Sequence, residues 1–364
     1  MRNSSSIPPH GNGMHNVTVS LASSFMGLKM NSPVIAGSCP LHINMERIRL
    51  LENAGIGAVV LPSILQEQLV YQSILQSSPL EAVERSGHSR QQDRYNGGPD
   101  EYLKTIGAIK TEFHLPLVAS MHGASTGDWL DYAIRIQDSG ADALELNWQI
   151  GRCDPTESGE QVENRMLHWV AQIRRKVTIP LAFKMNARFT NPAAIAVKLQ
   201  NVGINGLVLF AHRPHWDVDI DRRHWTIGWE LSPITSLGHT LEGLVETHSK
   251  ELSIPVVASG GIRSGEDAIK AMIAGADVVM MVSELYRQGP DGVKDVLAGI
   301  QRYLDANHLA SLEAFFQTRP DFEHRPSNSM RSEIVDPLTS SNRYTDPTPV
   351  ARQIHGDCFG HPSS

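Results

Sequence analysis

Eight short apolar runs alternate with eight helix-patterned stretches between residues 33 and 304, and few folds accommodate that order. The runs are Pro33 to Gly37, Ala58 to Leu61, Leu117 to Ser120, Ala143 to Asn147, Leu181 to Lys184, Leu207 to Phe210, Pro255 to Ala258 and Ala276 to Met281. They lack the polar alternation of a strand with one wet face, so each strand is expected to be buried on both sides. Helices are expected at Asn44 to Asn53, Glu101 to Lys110, Asp128 to Gln137, Gln161 to Lys176, Pro192 to Gln200, 239–249, from about Ser264, and at Asp291 to Leu304. Gly55, Gly140, Gly203 and Gly275 each stand between a helix and the next strand, where a helix C-terminus favours glycine. Strict alternation to a count of eight predicts a closed (β/α)8 barrel, the TIM-barrel architecture. A doubly wound open sheet is the rival, and it requires no such count.

The stretch Ile254 to Pro290 carries the most local information. An apolar run leads directly into Ser259, Gly260 and Gly261. A helix follows, with Glu266 and Asp267 in its first turn, where carboxylates suit the helix dipole. A second run then ends at Val282 and Ser283. In a barrel, this order builds a phosphate site beyond the last two strands. Glycine lets the backbone approach an anion closely, and free N–H groups point at it. The plainer reading is that Gly260 and Gly261 only turn the chain.

The 364 residues are 41% apolar and 20% charged, which argues against disorder throughout. No run approaches the roughly 18 apolar residues of a membrane span. A formal charge of −7 argues against nucleic acid as the main partner. Cys39, Cys153 and Cys358 are too dispersed for a disulfide framework or a paired metal motif, so a reducing cytoplasm is the expected location.

Residues 1–16 are expected to be a disordered leader, 17–308 the barrel domain and 309–364 a polar tail. That tail is read as extended, disordered or an arm on a partner subunit. Val17 to Met30 reads as a hairpin bending near Ser23 and Ser24, beneath the barrel. The connections 62–99 and 211–236 read as long loops without barrel elements. The second contains His212, His215 and His224 among Asp217, Asp219 and Asp221, at spacings that match no strong metal pattern, and no metal is expected.

Barrel enzymes place their chemistry at the C-terminal ends of the strands. Those ends are Ala36, Gly37 and Ser38; Ser120, with Met121 and His122 beyond; Asn147; Lys184; Phe210; Gly260 and Gly261; and Ser283. Lys184 lies in an apolar run, where an ammonium needs an anion or an electron-rich partner. Snorkelling at the rim is the bland alternative. Asn147 ends its run with an amide that both donates and accepts, or that simply forms a turn.

The stretches SPVIAGS, GIGAVVLPS, YNGGPDEYL, PLVASMHG, ADALELN, PLAFKMN and ASGGIRSGEDAIKAMIAGADVVMM resemble, in order, those of the class 1 dihydroorotate dehydrogenases. These are flavin-binding barrels, and the resemblance covers about residues 25–305. It implies an FMN-linked oxidoreductase type of barrel, with FMN as cofactor, dihydroorotate or a related compound as substrate, a separate electron acceptor and a homodimer. It implies that Ala36, Gly37, Ser38 and Ser120 line the flavin and that Asn96 and Asn147 hydrogen-bond substrate or flavin. Lys184 would stand at the polar edge of the ring, and Ser259, Gly260, Gly261 and Ser283 would hold the phosphate.

The chain also departs from the family pattern. The family's catalytic cysteine or serine, three residues past the asparagine, is here Ile150, which cannot take a proton. Pro62 replaces a lysine after the second strand, Phe210 and Ala211 replace an asparagine and serine after the sixth, and Val282 replaces a glycine. This fits better the subgroup called dihydroorotate dehydrogenase-like proteins. Cys153, three positions past Ile150, and His122 are the candidate replacement bases. Two other readings use the same residues: a Schiff-base aldolase or lyase acting through Lys184 on a phosphorylated substrate, and a flavin-binding protein that has lost its catalysis.

Overall fold

The computed structural model describes residues 19–77, 93–123, 128–148, 154–212 and 214–320. The expected leader, Ile150, Cys153 and the tail beyond residue 320 lie outside the described residues. A two-stranded hairpin comes first, β1 (Ser23–Phe25) paired antiparallel with β2 (Leu28–Met30). The hairpin is where the sequence placed it, but its turn is at Met26 and Gly27, both at positive φ, and Ser23 and Ser24 lie in the strand.

Eight parallel strands then close on themselves: β3 (Val34–Ala36), β4 (Ala58–Val60), β6 (Leu117–His122), β7 (Ala143–Asn147), β8 (Leu181–Met185), β9 (Gly206–Leu209), β12 (Val256–Ser259) and β13 (Val278–Met281). Pairing runs around the ring from β4 through β3, β13, β12, β9, β8 and β7 to β6, and β4 pairs with β6 to close it. This is the TIM barrel expected from the alternation. The covering helices are α1 (Met45–Asn53), α2 (Gln66–Ser77), α4 (Pro99–Glu112), α5 (Asp128–Asp138), α6 (Gly159–Arg174), α7 (Pro192–Asn201), α8 (Ser236–Thr247), α9 (Gly265–Ile273) and α11 (Pro290–Ala306). Serine and asparagine caps start several of them. Ser158 and Ser264 each form a capping box, with Gln161 and Asp267 respectively.

Two apolar cores follow from the two faces of each strand. The larger lies between barrel and helices and includes Val59, Leu144, Phe183 and Leu207 with Tyr102, Trp169 and Val293. The smaller fills the barrel with the alternate residues, Ile35, Val118, Ala143, Ala182, Val208, Val257 and Met280. Phe25, Met26 and Met30 of the hairpin belong to this inner core and plug the N-terminal end of the barrel. They fit so closely that a Cβ on Gly206, which opens β9, would come within 2.7 Å of both Phe25 and Met26.

Both long connections contain more structure than the sequence suggested. Within 62–99 the chain forms β5 (Ile64–Leu65), α2 and a short α3 (Asp93–Asn96), while residues 78–92 lie outside the described residues. The many glutamines of α2 dilute its apolar pattern, yet Leu69 is buried in the outer core. Within 211–236 the chain forms a second antiparallel hairpin, β10 (His215–Asp219) and β11 (His224–Gly228). A further short helix, α10 (Ser283–Gln288), follows β13.

The chain past residue 308 continues into α12 (Leu312–Phe316), whose Leu312 and Phe315 are buried in the outer core. A bond from Ser20 N–H to Ala310 C=O at 3.1 Å ties that segment to the N-terminal side. No helix among the described residues is long and apolar enough to cross a membrane.

Candidate functional site

The strands that fill the barrel with Val118, Ala143 and Ala182 bring Ser120, Glu145 and Lys184 to the same inner side two residues later. There the apolar column becomes polar. Lys184 Nζ lies 3.5 Å from Glu145 Oε1, with both side chains almost wholly buried. Ser120 donates its hydroxyl to the same Oε1 at 3.0 Å and meets Ser63 Oγ at 2.8 Å. Ser63 in turn lies 3.4 Å from Ser38 Oγ. A chain of hydroxyls therefore crosses the mouth from the end of β3 to the Lys184–Glu145 pair. Tyr95 joins it through Ser38, and burial pushes its phenol up to about 12. The second carboxylate oxygen, Glu145 Oε2, is buried without a hydrogen-bond partner among the described residues.

Asn147 stands one layer above Glu145 at the end of β7, in register with Lys184 on one side and His122 on the other. The structure thus brings Ser38, Ser120, Asn147 and Lys184 to one rim. Gly37 packs against the same mouth, where a Cβ would come within 2.7 Å of Met280 and Val282.

Two other expected residues sit differently. Ala36 is fully buried in the outer core, so its side chain faces the helices and not the mouth. Asn96 is also buried, and its amide is consumed locally. It donates to Ser63 C=O at 2.7 Å and to Gln68 Oε1 at 2.9 Å, and it accepts from Gln68 Nε2 and from Gly98 N–H. The structure gives Asn96 the work of fixing α3 to the loop after β4.

Cys39 follows Ser38 and is buried, with its Sγ 3.6 Å from His42 Nε2. Burial pushes the Cys39 thiol up to about 11 and pulls the His42 imidazole down to about 4. His42 Nδ1 lies 3.0 Å from Val60 C=O, which makes it the protonated nitrogen of a neutral ring. Phe210 turns its ring to α8, where a Cβ on Gly243 would meet it at 2.0 Å, so no aromatic group from the end of β9 enters the mouth.

The glycine pair lies farther around the same rim. Gly260 and Gly261 follow β12 with φ of +121° and +78°, values that a side chain disfavours. Thr240 of α8 donates its hydroxyl to Gly260 C=O at 3.0 Å. Because the peptide is planar and trans, that contact aims Gly261 N–H the opposite way. Among the described residues no acceptor is recorded for the N–H of Gly260 or Gly261.

Beside them α10 begins at Ser283, whose hydroxyl accepts from Ser232 N–H at 2.9 Å and donates to Ser232 Oγ at 3.2 Å. A cleft of about 320 Å³ opens here, lined by Ile234, Gly261, Arg263, Asp267, Glu284 and Gln288. Arg263 and Arg287 lie 3.6 and 3.3 Å from the buried Glu284 carboxylate. With Asp267 also in the lining, the two arginines are balanced by two carboxylates, so backbone N–H groups and not net charge are what this end offers an anion.

The sequence reading missed Arg263, Arg287 and Glu145. Glu145 could have been found as an acidic residue inside an otherwise apolar strand, two positions from the inward-facing Ala143.

A family model described as dihydroorotate dehydrogenase matches residues 94–304. The chain is 23% identical over 303 residues to the dihydroorotate dehydrogenase B (NAD(+)) catalytic subunit of Caldicellulosiruptor bescii, covering 79% of this chain and 95% of that relative. It is 23% identical over 296 residues to the protein of the same name from Methanocaldococcus jannaschii, with the same coverage. It is 24% identical over 297 residues to that of Endomicrobium trichonymphae, covering 80% of this chain and 95% of the relative. The family match spans more than half of a closed barrel whose polar mouth and glycine turn share one rim, and on that ground the chain belongs to the dihydroorotate dehydrogenase family.

Proposed function

We propose that this protein is an FMN-dependent oxidoreductase of the dihydroorotate dehydrogenase type, acting on dihydroorotate or a related compound. The observation that carries the reading is the placement of a buried ammonium, Lys184, and of two backbone N–H groups with no acceptor among the described residues, Gly260 and Gly261, two strands apart on one rim. These residues fit FMN: the glycine turn and Ser283 suit its phosphate, and Lys184 suits the polar edge of its ring. When bound, FMN would supply the redox chemistry by accepting a hydride from a substrate carbon.

This chain's residues would bind and orient. Gly37, Ser38 and Ser120 would border the ring, Lys184 would face negative charge on its polar edge, and Asn147 would hydrogen-bond ring or substrate. The Glu145 carboxylate would hold Lys184 in place. Cys153, as on the sequence reading, is the candidate to remove the substrate proton. The reaction would belong to pyrimidine biosynthesis in the cytoplasm, with a separate electron acceptor.

Ile150 at the family's proton-accepting position favours a second version, in which the flavin is held but the substrate differs or is absent. The Schiff-base reading is weakened by Glu145, because an amine in an ion pair is a poor nucleophile.

A visible absorption spectrum of the purified protein tests the cofactor. A flavin band, present at once or after incubation with FMN, is expected, and a protein that stays colourless overturns the proposal. Anaerobic addition of dihydroorotate tests the substrate, and a bound flavin that does not bleach removes dihydroorotate. Borohydride trapping of a carbonyl compound on Lys184 in a flavin-free protein would favour the aldolase.

A further inference from the structure

Glu145 is a buried carboxylate with few partners. An ionised carboxylate can accept about four hydrogen bonds. Among the described residues this one accepts a single bond, from Ser120 Oγ to Oε1 at 3.0 Å, and makes a single ion pair, with Lys184 at 3.5 Å. Its side chain is 1% exposed, so Lys184 and not water balances its charge. The phenols of Tyr95 and Tyr102 also lie near it, and burial pushes both up, so they add no charge at neutral pH.

The hydroxyls behind Glu145 have a forced direction. A carboxylate only accepts, so Ser120 donates to it, and a hydroxyl has one proton to give. Ser120 therefore accepts from Ser63 at 2.8 Å, and Ser63 accepts from Ser38 at 3.4 Å. Ser38 in turn meets the phenol of Tyr95, which is left as the donor. Tyr95 stands on α3 and is only half-buried. The row thus runs from a phenol near the surface to a carboxylate inside the mouth, with every O–H aimed at the carboxylate. Such rows polarise one another and suit proton movement along their direction.

We propose that Glu145 takes up a proton through this row when bound FMN is reduced. The proposal rests on the FMN reading above. A hydride brings one proton and two electrons to a neutral ring and leaves it with one negative charge. Lys184 then faces two anions, the ring and Glu145, in a mouth where an unbalanced charge is costly. One proton passes from water to the Tyr95 oxygen. Each O–H in the row breaks as its proton bonds to the next oxygen, and Ser120 passes its own to Glu145. The carboxylate becomes a carboxylic acid, and Lys184 is left to pair with the ring. Lysine, glutamate and ring together carry no net charge before the step and none after it. Reoxidation returns the proton by the same hydroxyls.

Infrared difference spectroscopy of the full chain loaded with FMN reads this proton directly. Anaerobic photoreduction is expected to bring up the C=O stretch of a protonated carboxyl as the flavin bleaches, and air is expected to remove it. The band is expected to shift when glutamate side-chain carboxyls carry a heavy-carbon label, and to be absent from Glu145→Gln. Where that variant holds no flavin, Glu145→Asp replaces it, and its band is expected to escape the glutamate label. Ser63→Ala cuts the row between Ser38 and Ser120. It is expected to delay the band behind the bleaching by about tenfold or more.

A row that only holds Lys184 in place would take up no proton. Reduced flavin with no new carboxyl band, a band that survives in Glu145→Gln or follows the label in Glu145→Asp, or a Ser63→Ala band that keeps pace with bleaching overturns the proposal and leaves the FMN reading standing. A protein that binds no flavin overturns both.

Discussion

Lys184 Nζ and Glu145 Oε1 lie 3.5 Å apart on neighbouring strands at the level where the barrel interior turns from apolar to polar. Breaking a buried pair by removing one partner costs about 3–5 kcal/mol, because the other charge is left uncompensated. Lys184→Met is therefore expected to lose about that much stability. Lys184→Met with Glu145→Leu is expected to recover most of it, since Ser120 keeps its bond to Ser63. Urea unfolding of the three proteins checks this, and a double variant no better than the single one would count against the pairing.

The cradle makes a separate prediction. A Cβ on Gly261 would sit 2.3 Å from Leu237 N and 2.6 Å from its Cα, and backbone cannot yield as a side chain can. Gly261→Ala is expected to cost about 1–3 kcal/mol through strain and to lose FMN affinity. Gly238→Ala, with nothing within 4 Å of the new carbon, is the control and is expected to keep both. Thermal melts and flavin content after gel filtration read the difference.

His42 makes stability depend on pH. Burial holds its imidazole near 4 in the fold against an ordinary value of 6.5. The folded state thus binds fewer protons than the unfolded chain between those values. The stability His42 contributes is complete above about pH 6.5 and is lost as pH falls toward 4, by roughly 3 kcal/mol in all. His42→Gln is expected to be less stable at pH 7. Its further loss between pH 7 and pH 5 should be smaller than that of the wild type by roughly 2 kcal/mol. Urea midpoints at the two pH values test the sign as well as the size.

Cys39 should be slow toward thiol reagents. Its thiol is buried and pushed up to about 11, so little thiolate exists at neutral pH. Brief iodoacetamide treatment of the native protein, followed by peptide mass spectrometry, is expected to leave Cys39 unmodified. The same treatment in urea should label it. Rapid native labelling would show that the loop after β3 opens.

The barrel was legible because its information is local. Eight doubly buried strands alternating with helices, several of them capped, leave a signature in strings of five to ten residues. The glycine turn after β12 and the capping box at Ser264 are likewise written in adjacent letters. Lys184 was legible because a lysine in an apolar strand stands out.

Other features needed the fold, since they depend on residues far apart in the chain. Asn96 resembles a ligand-binding residue in YNGG, yet Gln68 and Ser63, about thirty positions away, consume its amide. Glu145 becomes the anchor of Lys184 only once β7 and β8 pair in the observed register. The apolar face of the 211–236 segment depends on which residues stand opposite one another, and histidines and aspartates hide it in the linear order. The amino-acid order by itself determined the barrel, its glycine turn and the lysine at its mouth, because burial period, caps and glycine are short-range properties. Only the tertiary structure decided which polar groups are already satisfied by partners within the fold. Hydrogen bonds and ion pairs form between strands brought together by closure of the barrel, and no sequence neighbour announces them.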